Sequence, residues 1–122
     1  MSKEIHTKSI QLPREDKDGI RICIMRRPGK DVSFNIWIPE LAPSDKLLDD
    51  YHAKKITWEK FEKRFKKEVL DKKQDYLEIL LAIGKTKTIT LLCWEETPEK
   101  CHRRLVVEKL KEIDPQIKIC IL

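Results

Sequence analysis

Glycine is scarce in this sequence, with three residues in 122. A P-loop and a dinucleotide-binding fingerprint each need several glycines at fixed spacing to bring backbone amides against phosphate, so both are excluded. A long apolar run is missing too. The longest, Leu77 to Ile83, is interrupted by Glu78 and falls far short of the roughly 18 residues a membrane span needs, so no membrane contact is expected. The opening M-S-K-E-I-H has no apolar signal-peptide core, which predicts a cytoplasmic protein. Cys23, Cys93, Cys101 and Cys120 make no pair two residues apart, the spacing that nucleates zinc ribbons. There is no internal repeat and no low-complexity segment. Charge of a single sign is not concentrated either: 26 basic residues are interleaved with 21 acidic ones, for a net charge of +5. That excess permits nucleic-acid binding without arguing for it, because a dedicated binder gathers its charge beside exposed aromatics.

What the chain does have is charge in quantity. At 39% charged residues, dominated by Lys and Glu, it has the composition of heat-adapted proteins. Cytosolic thiols are reduced by default, with hyperthermophiles the exception. A length of 122 residues predicts a single domain over residues 1–122, able to bury about two thirds of its unfolded surface.

Ile5, Ile10 and Leu12 mark a first strand ending at Pro13, and Arg14 to Gly19 then reads as a solvated loop. Ile20, Ile22 and Ile24 alternate with Arg21, Cys23 and Met25 as a second strand, with Cys23 a core residue. It stops at Arg26-Arg27-Pro28-Gly29. Phe34 to Ile38 is a short extended segment, and Ser44 caps a helix through about His52. Thr57 caps the next, on which Trp58, Phe61, Phe65 and Val69 form an aromatic core stripe among salt-bridged lysines. A helix from Asp75 to Ile83 is predicted to end at Gly84 in a left-handed cap. Ile117, Ile119 and Ile121 make a last strand containing Cys120. Strands alternating with helices predict an α/β fold, a compact three-layer domain whose mainly parallel sheet has right-handed crossovers and helices on both faces.

The stretch from Thr88 to Leu110 holds the chemistry. Ile89 to Trp94 reads as a buried strand, then an acidic loop leads to a helix capped by Thr97 with Pro98 at its first position. Cys101 and His102 are thereby placed in the first turns, where unpaired amides and the helix dipole favour anions. A projection at about 100° per residue puts His102 in one stripe with Val106, Leu110 and Ile113. It sets Cys101 at the rim and Arg104, Glu108 and Lys111 in water. Cys93 sits at the carboxyl end of its strand, the edge where open α/β sheets bind ligands.

These residues resemble a known family. L-L-C-W-E-E-T-P-E-K-C-H-R-R-L (Leu91 to Leu105) is similar to the closing signature of the bacterial and archaeal domain-of-unknown-function family 488. The upstream arginine pair, W-I-P-E-L-A-P-S (Trp37 to Ser44) and W-E-K-F-E-K-R-F (Trp58 to Phe65) resemble its YeaO-like branch. The loop from Arg26 to Asp31 is shorter than in that branch, and Cys101 stands where the branch often has asparagine. The resemblance covers nearly the whole chain and implies a compact α/β cytoplasmic protein, with no established reaction.

Four functions fit these residues. In the first, a small enzyme acts on an anionic substrate: Cys93 or Cys101 is the nucleophile, Arg26, Arg27 and Arg103 hold the anion, and Glu95 or His102 moves protons. No phosphatase-type loop is present, because Arg103 is ten residues from Cys93. The second is a metal site formed by Cys93, Cys101 and His102, against which stands the divergence of neighbouring side chains on a helix. The third is a Cys93–Cys101 redox pair, which requires α-carbons within about 7 Å. The fourth is a nucleic-acid or protein-binding module using the lysine-rich helix. The sequence names no cofactor and no oligomeric state.

Overall fold

A computed structural model of the protein describes residues 4–95 and 100–121. Five strands form one sheet: β1 (Glu4–Ser9), β2 (Ile20–Cys23), β3 (Ile36–Trp37), β4 (Ile89–Cys93) and β5 (Lys118–Ile121). All pair in parallel, in the spatial order β3-β2-β4-β1-β5. Four helices flank the sheet: α1 (Asp45–His52), α2 (Trp58–Phe65), α3 (Gln74–Gly84) and α4 (His102–Ile113). The expected parallel α/β architecture is the one observed. Among the described residues no helix is long and apolar enough to cross a membrane.

Alternation along the strands gives the sheet two faces. Ile5, Ile22, Ile89 and Leu91 lie on one, in a single apolar cluster with Leu47, Phe65, Leu80 and Val106 from the four helices. Lys8, Arg21, Cys23, Thr90 and Leu92 alternate onto the other. There Cys23 and Leu92 pack with Ile10, Met25, Val32 and Phe34. One detail therefore differs from expectation, since the helices gather on one face and loop segments form the third layer. Crossover handedness explains it. From β1 through β2 to β3 the chain steps one way across the sheet, and from β3 through β4 to β5 it steps back. With a constant right hand, that reversal moves the connections to the opposite face. The two outward connections, residues 10–19 and 24–35, are too short to hold a packed helix with its turns. They contain only a 3-10 turn, Asp16–Asp18.

Local signals set the helix starts. Ser44 Oγ accepts the Leu47 amide at 3.1 Å and Thr57 Oγ1 the Lys60 amide at 3.2 Å, as capping predicts. The aromatic stripe of α2 buries Phe61 and Phe65 and continues through a π turn (Lys66–Leu70) to bury Val69. Gly84 is a correction: it belongs to α3 and does not take a positive φ. A Cβ there would lie 3.0 Å from Ile5 Cδ1 and Cγ1, so its role is close packing on β1. Thr97 and Pro98, the predicted start of the last helix, lie outside the described residues. The helix itself begins at His102, with Cys101 in the N-cap position at φ −136° and ψ 140°.

Candidate functional site

The carboxyl ends of β2 and β4, the start of α4 and the facing surfaces of α1 and α2 enclose a cavity of about 400 Å³. This is the sheet edge at which α/β folds bind ligands. Cys93, Cys101 and His102 line one wall; Tyr51, Trp58 and Phe61 line another. Arg26, Arg27 and Lys100 stand at it with Asp45, Asp49 and Glu95.

Cys93 comes to the site because the strand alternation that buries Ile89 and Leu91 turns residue 93 to the same, helix-covered face. Cys101 comes from the other side, its extended backbone aiming it back at the strand. The two sulfurs are joined in a disulfide, with α-carbons 7.5 Å apart, slightly wider than anticipated. Both cysteines are buried. Cys23 is turned away from this pair, onto the opposite face of the sheet, where burial pushes its thiol pKa up.

Arg103, expected at the site as an anion-holding arginine, lies against the two sulfurs. Its side chain is fully buried, and one nitrogen, Nη1, donates to Cys93 Sγ at 3.4 Å, Cys101 Sγ at 3.3 Å and the Glu95 carbonyl at 2.7 Å. Burial lowers its pKa, yet a guanidinium stays charged at any physiological pH. Ten residues of sequence separation from Cys93 are therefore no obstacle, because the chain folds back between them.

His102 donates from Nε2 to the Ile24 carbonyl at 2.6 Å and packs edge-on against Phe65 at 5.6 Å. A carbonyl only accepts, so Nε2 carries the proton and Nδ1 keeps a lone pair. Burial, reinforced by the nearby Arg103 charge, lowers its pKa to about 4, although the bond to Ile24 opposes the shift. The imidazole is neutral at pH 7. The ligand atoms of Cys93, Cys101 and His102 all lie within 4.8 Å of one another. Divergence on a helix does not separate them, since Cys101 precedes the helix and is not part of it.

The arginine pair divides its work. Arg26 is half-buried, with Nε donating to the Pro43 carbonyl at 2.7 Å and Nη2 to the Ala42 carbonyl at 3.5 Å. Arg27 is 81% exposed and pairs with Asp45 at 3.0 Å. Glu95 is exposed and lines the same cavity.

Residues 5–114 match the model of a family described as the active DUF488-N3 subclade. The chain is a DUF488 protein. Neither the curated proteins nor the solved structures contain a match to it. Every candidate site residue of this DUF488 protein falls within the matched span.

Two properties of the DUF488 protein's site differ from expectation: the burial of Arg103 and the partial exposure of Trp58. Arg103 shares a helical stripe with Val107 and Leu110, and Val106 adjoins that stripe. That spacing holds wherever the helix starts, and it made the burial legible. Ile113, assigned to the buried stripe, is 39% exposed, while Arg104, assigned to water, is half-buried between Glu62 and Glu108. Trp58 was read purely as core. It opens α2 and is only half-buried, so part of its ring reaches the cavity.

Proposed function

We propose that this protein is a cysteine-dependent enzyme that acts on a small anionic substrate through two-thiol chemistry. One observation carries the reading: a single buried guanidinium donates to both sulfurs on the wall of a ligand-sized cavity. A fixed positive charge against sulfur favours thiolate over thiol, which lowers a cysteine pKa and creates the nucleophile. Cys101 is the better placed to attack, because it occupies the N-cap position of α4, where the helix dipole adds to the effect. His102 is a poor proton store. At a pKa of about 4, only about one imidazole in a thousand is protonated at pH 7. The thiolate depends on Arg103, and His102 Nδ1 serves as a neutral acceptor.

In the reduced protein the Cys101 thiolate attacks an electrophilic atom of the substrate and displaces a leaving group with its electron pair. The Cys93 thiolate then attacks the Cys101 sulfur, forming the disulfide and expelling the substrate fragment with the electrons of the broken bond. Two electrons pass from the dithiol to the substrate, and the two thiol protons end on the released groups or solvent. An external thiol reductant restores the pair. The match to a subclade described as active supports a chemical role.

The test is the pH dependence of iodoacetamide alkylation in reduced protein, mapped by mass spectrometry. Half-maximal reactivity of Cys101 is expected below pH 7, and Arg103→Lys should keep most of that depression whereas Arg103→Met should remove it. Ordinary reactivity near pH 8.5 at both cysteines would end the proposal.

The clustering of two sulfurs with an imidazole whose tautomer is fixed by a backbone carbonyl also favours a second reading, a thiolate-rich metal site. Adding Co²⁺ to reduced protein separates the two. An intense thiolate-to-cobalt absorption at one equivalent supports the metal, and its absence removes it.

A further inference from the structure

The cavity offers more than sulfur. Beyond the cysteines, its walls carry three kinds of group that recognise different parts of one molecule. The first is aromatic. Trp58 and Phe61 stack with centroids 4.8 Å apart, and Tyr51 meets Trp58 edge-on at 5.7 Å. Phe61 is buried behind them, while Tyr51 and Trp58 are half-buried and line the cavity. A wall of this kind takes a flat ring, by stacking or edge contact, and is indifferent to which ring it is.

The second group is Arg26. It is half-buried, held by two backbone carbonyls, and among the described residues no carboxylate lies within ion-pair distance of it. Arg27 beside it is neutralised by Asp45, and Arg64 by Asp50 and Glu68. A positioned guanidinium without a counter-charge at a cavity wall is completed by an anion. The third is Asp49, a carboxylate lining the same cavity with no cation in ion-pair reach among the described residues. A carboxylate cannot face a phosphate without repulsion, but it accepts hydrogen bonds from sugar hydroxyls, as acidic residues do for ribose.

We infer that the cavity binds a nucleoside monophosphate, with the base on the Tyr51–Trp58 wall, the phosphate at Arg26 and the ribose hydroxyls at Asp49. The absence of a glycine-rich phosphate loop is consistent with a single phosphate, since one arginine suffices where a pyrophosphate needs a run of backbone amides. The volume of about 400 Å³ lies at the small end of ligand cavities and argues against a dinucleotide. This inference rests on reading the cavity as the substrate site. It names the ligand that the cavity would hold beside the thiols and assigns no bond of that ligand to them.

The experiment uses the intact oxidised protein, in which Cys93 and Cys101 are bonded to each other and cannot react. Binding is thus measured apart from thiol chemistry. Calorimetric titrations compare AMP and UMP with adenosine, ribose 5-phosphate and inorganic phosphate at one ionic strength. Both nucleotides are expected to bind at least about tenfold more tightly than any of the three fragments, each of which lacks at least one recognised part. Arg26→Gln should weaken AMP at least about fivefold and leave adenosine unchanged, and Trp58→Leu should weaken AMP and leave ribose 5-phosphate unchanged. Equal affinity for AMP and ribose 5-phosphate, equal affinity for AMP and adenosine, or no binding at millimolar concentration would each overturn it. Because alkylation reports on the thiols alone, nucleotide binding with ordinary thiol reactivity would sink the enzyme reading and keep the ligand, and the converse would do the reverse.

Discussion

His102 shows how much a single ring's surroundings decide. The imidazole is held neutral by burial against Phe65 and by its bond to the Ile24 carbonyl, with its pKa lowered from 6.5 to about 4. The folded state therefore binds fewer protons than the unfolded one between those values. This group's contribution to stability is complete above about pH 6.5 and is lost as the pH falls towards 4. Allowing for partial solvent exposure, the loss is on the order of 2 kcal/mol. Thermal melts of the wild type should fall steadily over that range, and His102→Gln should flatten the slope within it. A slope unchanged by the substitution would show that the ring is already solvated. At the same scale, Arg103 explains why part of the site escaped a reading of the sequence. An arginine in the string C-H-R-R looks the same whether it reaches water or sulfur, and the packing of α4 on the sheet decides which.

Elements were legible where the determining contact is local. Ser44 and Thr57 each bond an amide three residues on, so their helices begin where the side-chain chemistry dictates. Replacing Thr57 with Ala should cost about 1 kcal/mol in urea denaturation, with the slope on denaturant unchanged. Elements were misread where the deciding contact is distant. Gly84 does end α3, but not in the left-handed conformation that glycine often supplies there; what needs it is Ile5, almost eighty positions earlier in the chain. Gly19 is the sharper case. It sits at φ 64°, and a Cβ there would collide with the Thr88 carbonyl oxygen and lie 2.8 Å from the carbonyl carbon. That same oxygen accepts the Ile20 amide at 3.0 Å, which starts the β2–β4 pairing. The clash cannot relax without breaking the ladder. Gly19→Ala should destabilise the protein by about 3 kcal/mol, and a loss below about 1 kcal/mol would mean that the turn adapts.

At the scale of the molecule, the parallel order was readable from the alternation of patterns, but the loop layer was not. Arg14 to Gly19 has the composition of a solvated loop, yet Asp18 is 2% exposed and fastens that loop to the sheet. Its carboxylate takes Lys8 at 3.1 Å, Arg21 at 2.6 Å and the Glu15 amide at 3.0 Å. Burial raises its pKa, and the amide and the two cations outweigh that, so the net shift is downward. Lys8 on β1 and Arg21 on β2 flank β4, which lies between those strands, and both are buried; without Asp18, among the described residues the half-exposed Glu15 would remain to pair with Lys8 and no carboxylate with Arg21. Asp18→Asn, nearly isosteric, should therefore cost about 3–5 kcal/mol at pH 7. Removing one cation as well, in Lys8→Met with Asp18→Asn, should recover part of that loss, giving a coupling of at least about 1 kcal/mol in a double-mutant cycle. The pH dependence supplies an independent check. Because the folded pKa of Asp18 is depressed, its contribution is present above the ordinary value of 3.8 and is lost as the pH falls below it. Wild type and Asp18→Asn should run parallel from pH 7 to about 4 and converge below that, a window distinct from that of His102. A gap that stayed constant into acid would mean that the carboxylate fastens the loop by shape and not by charge.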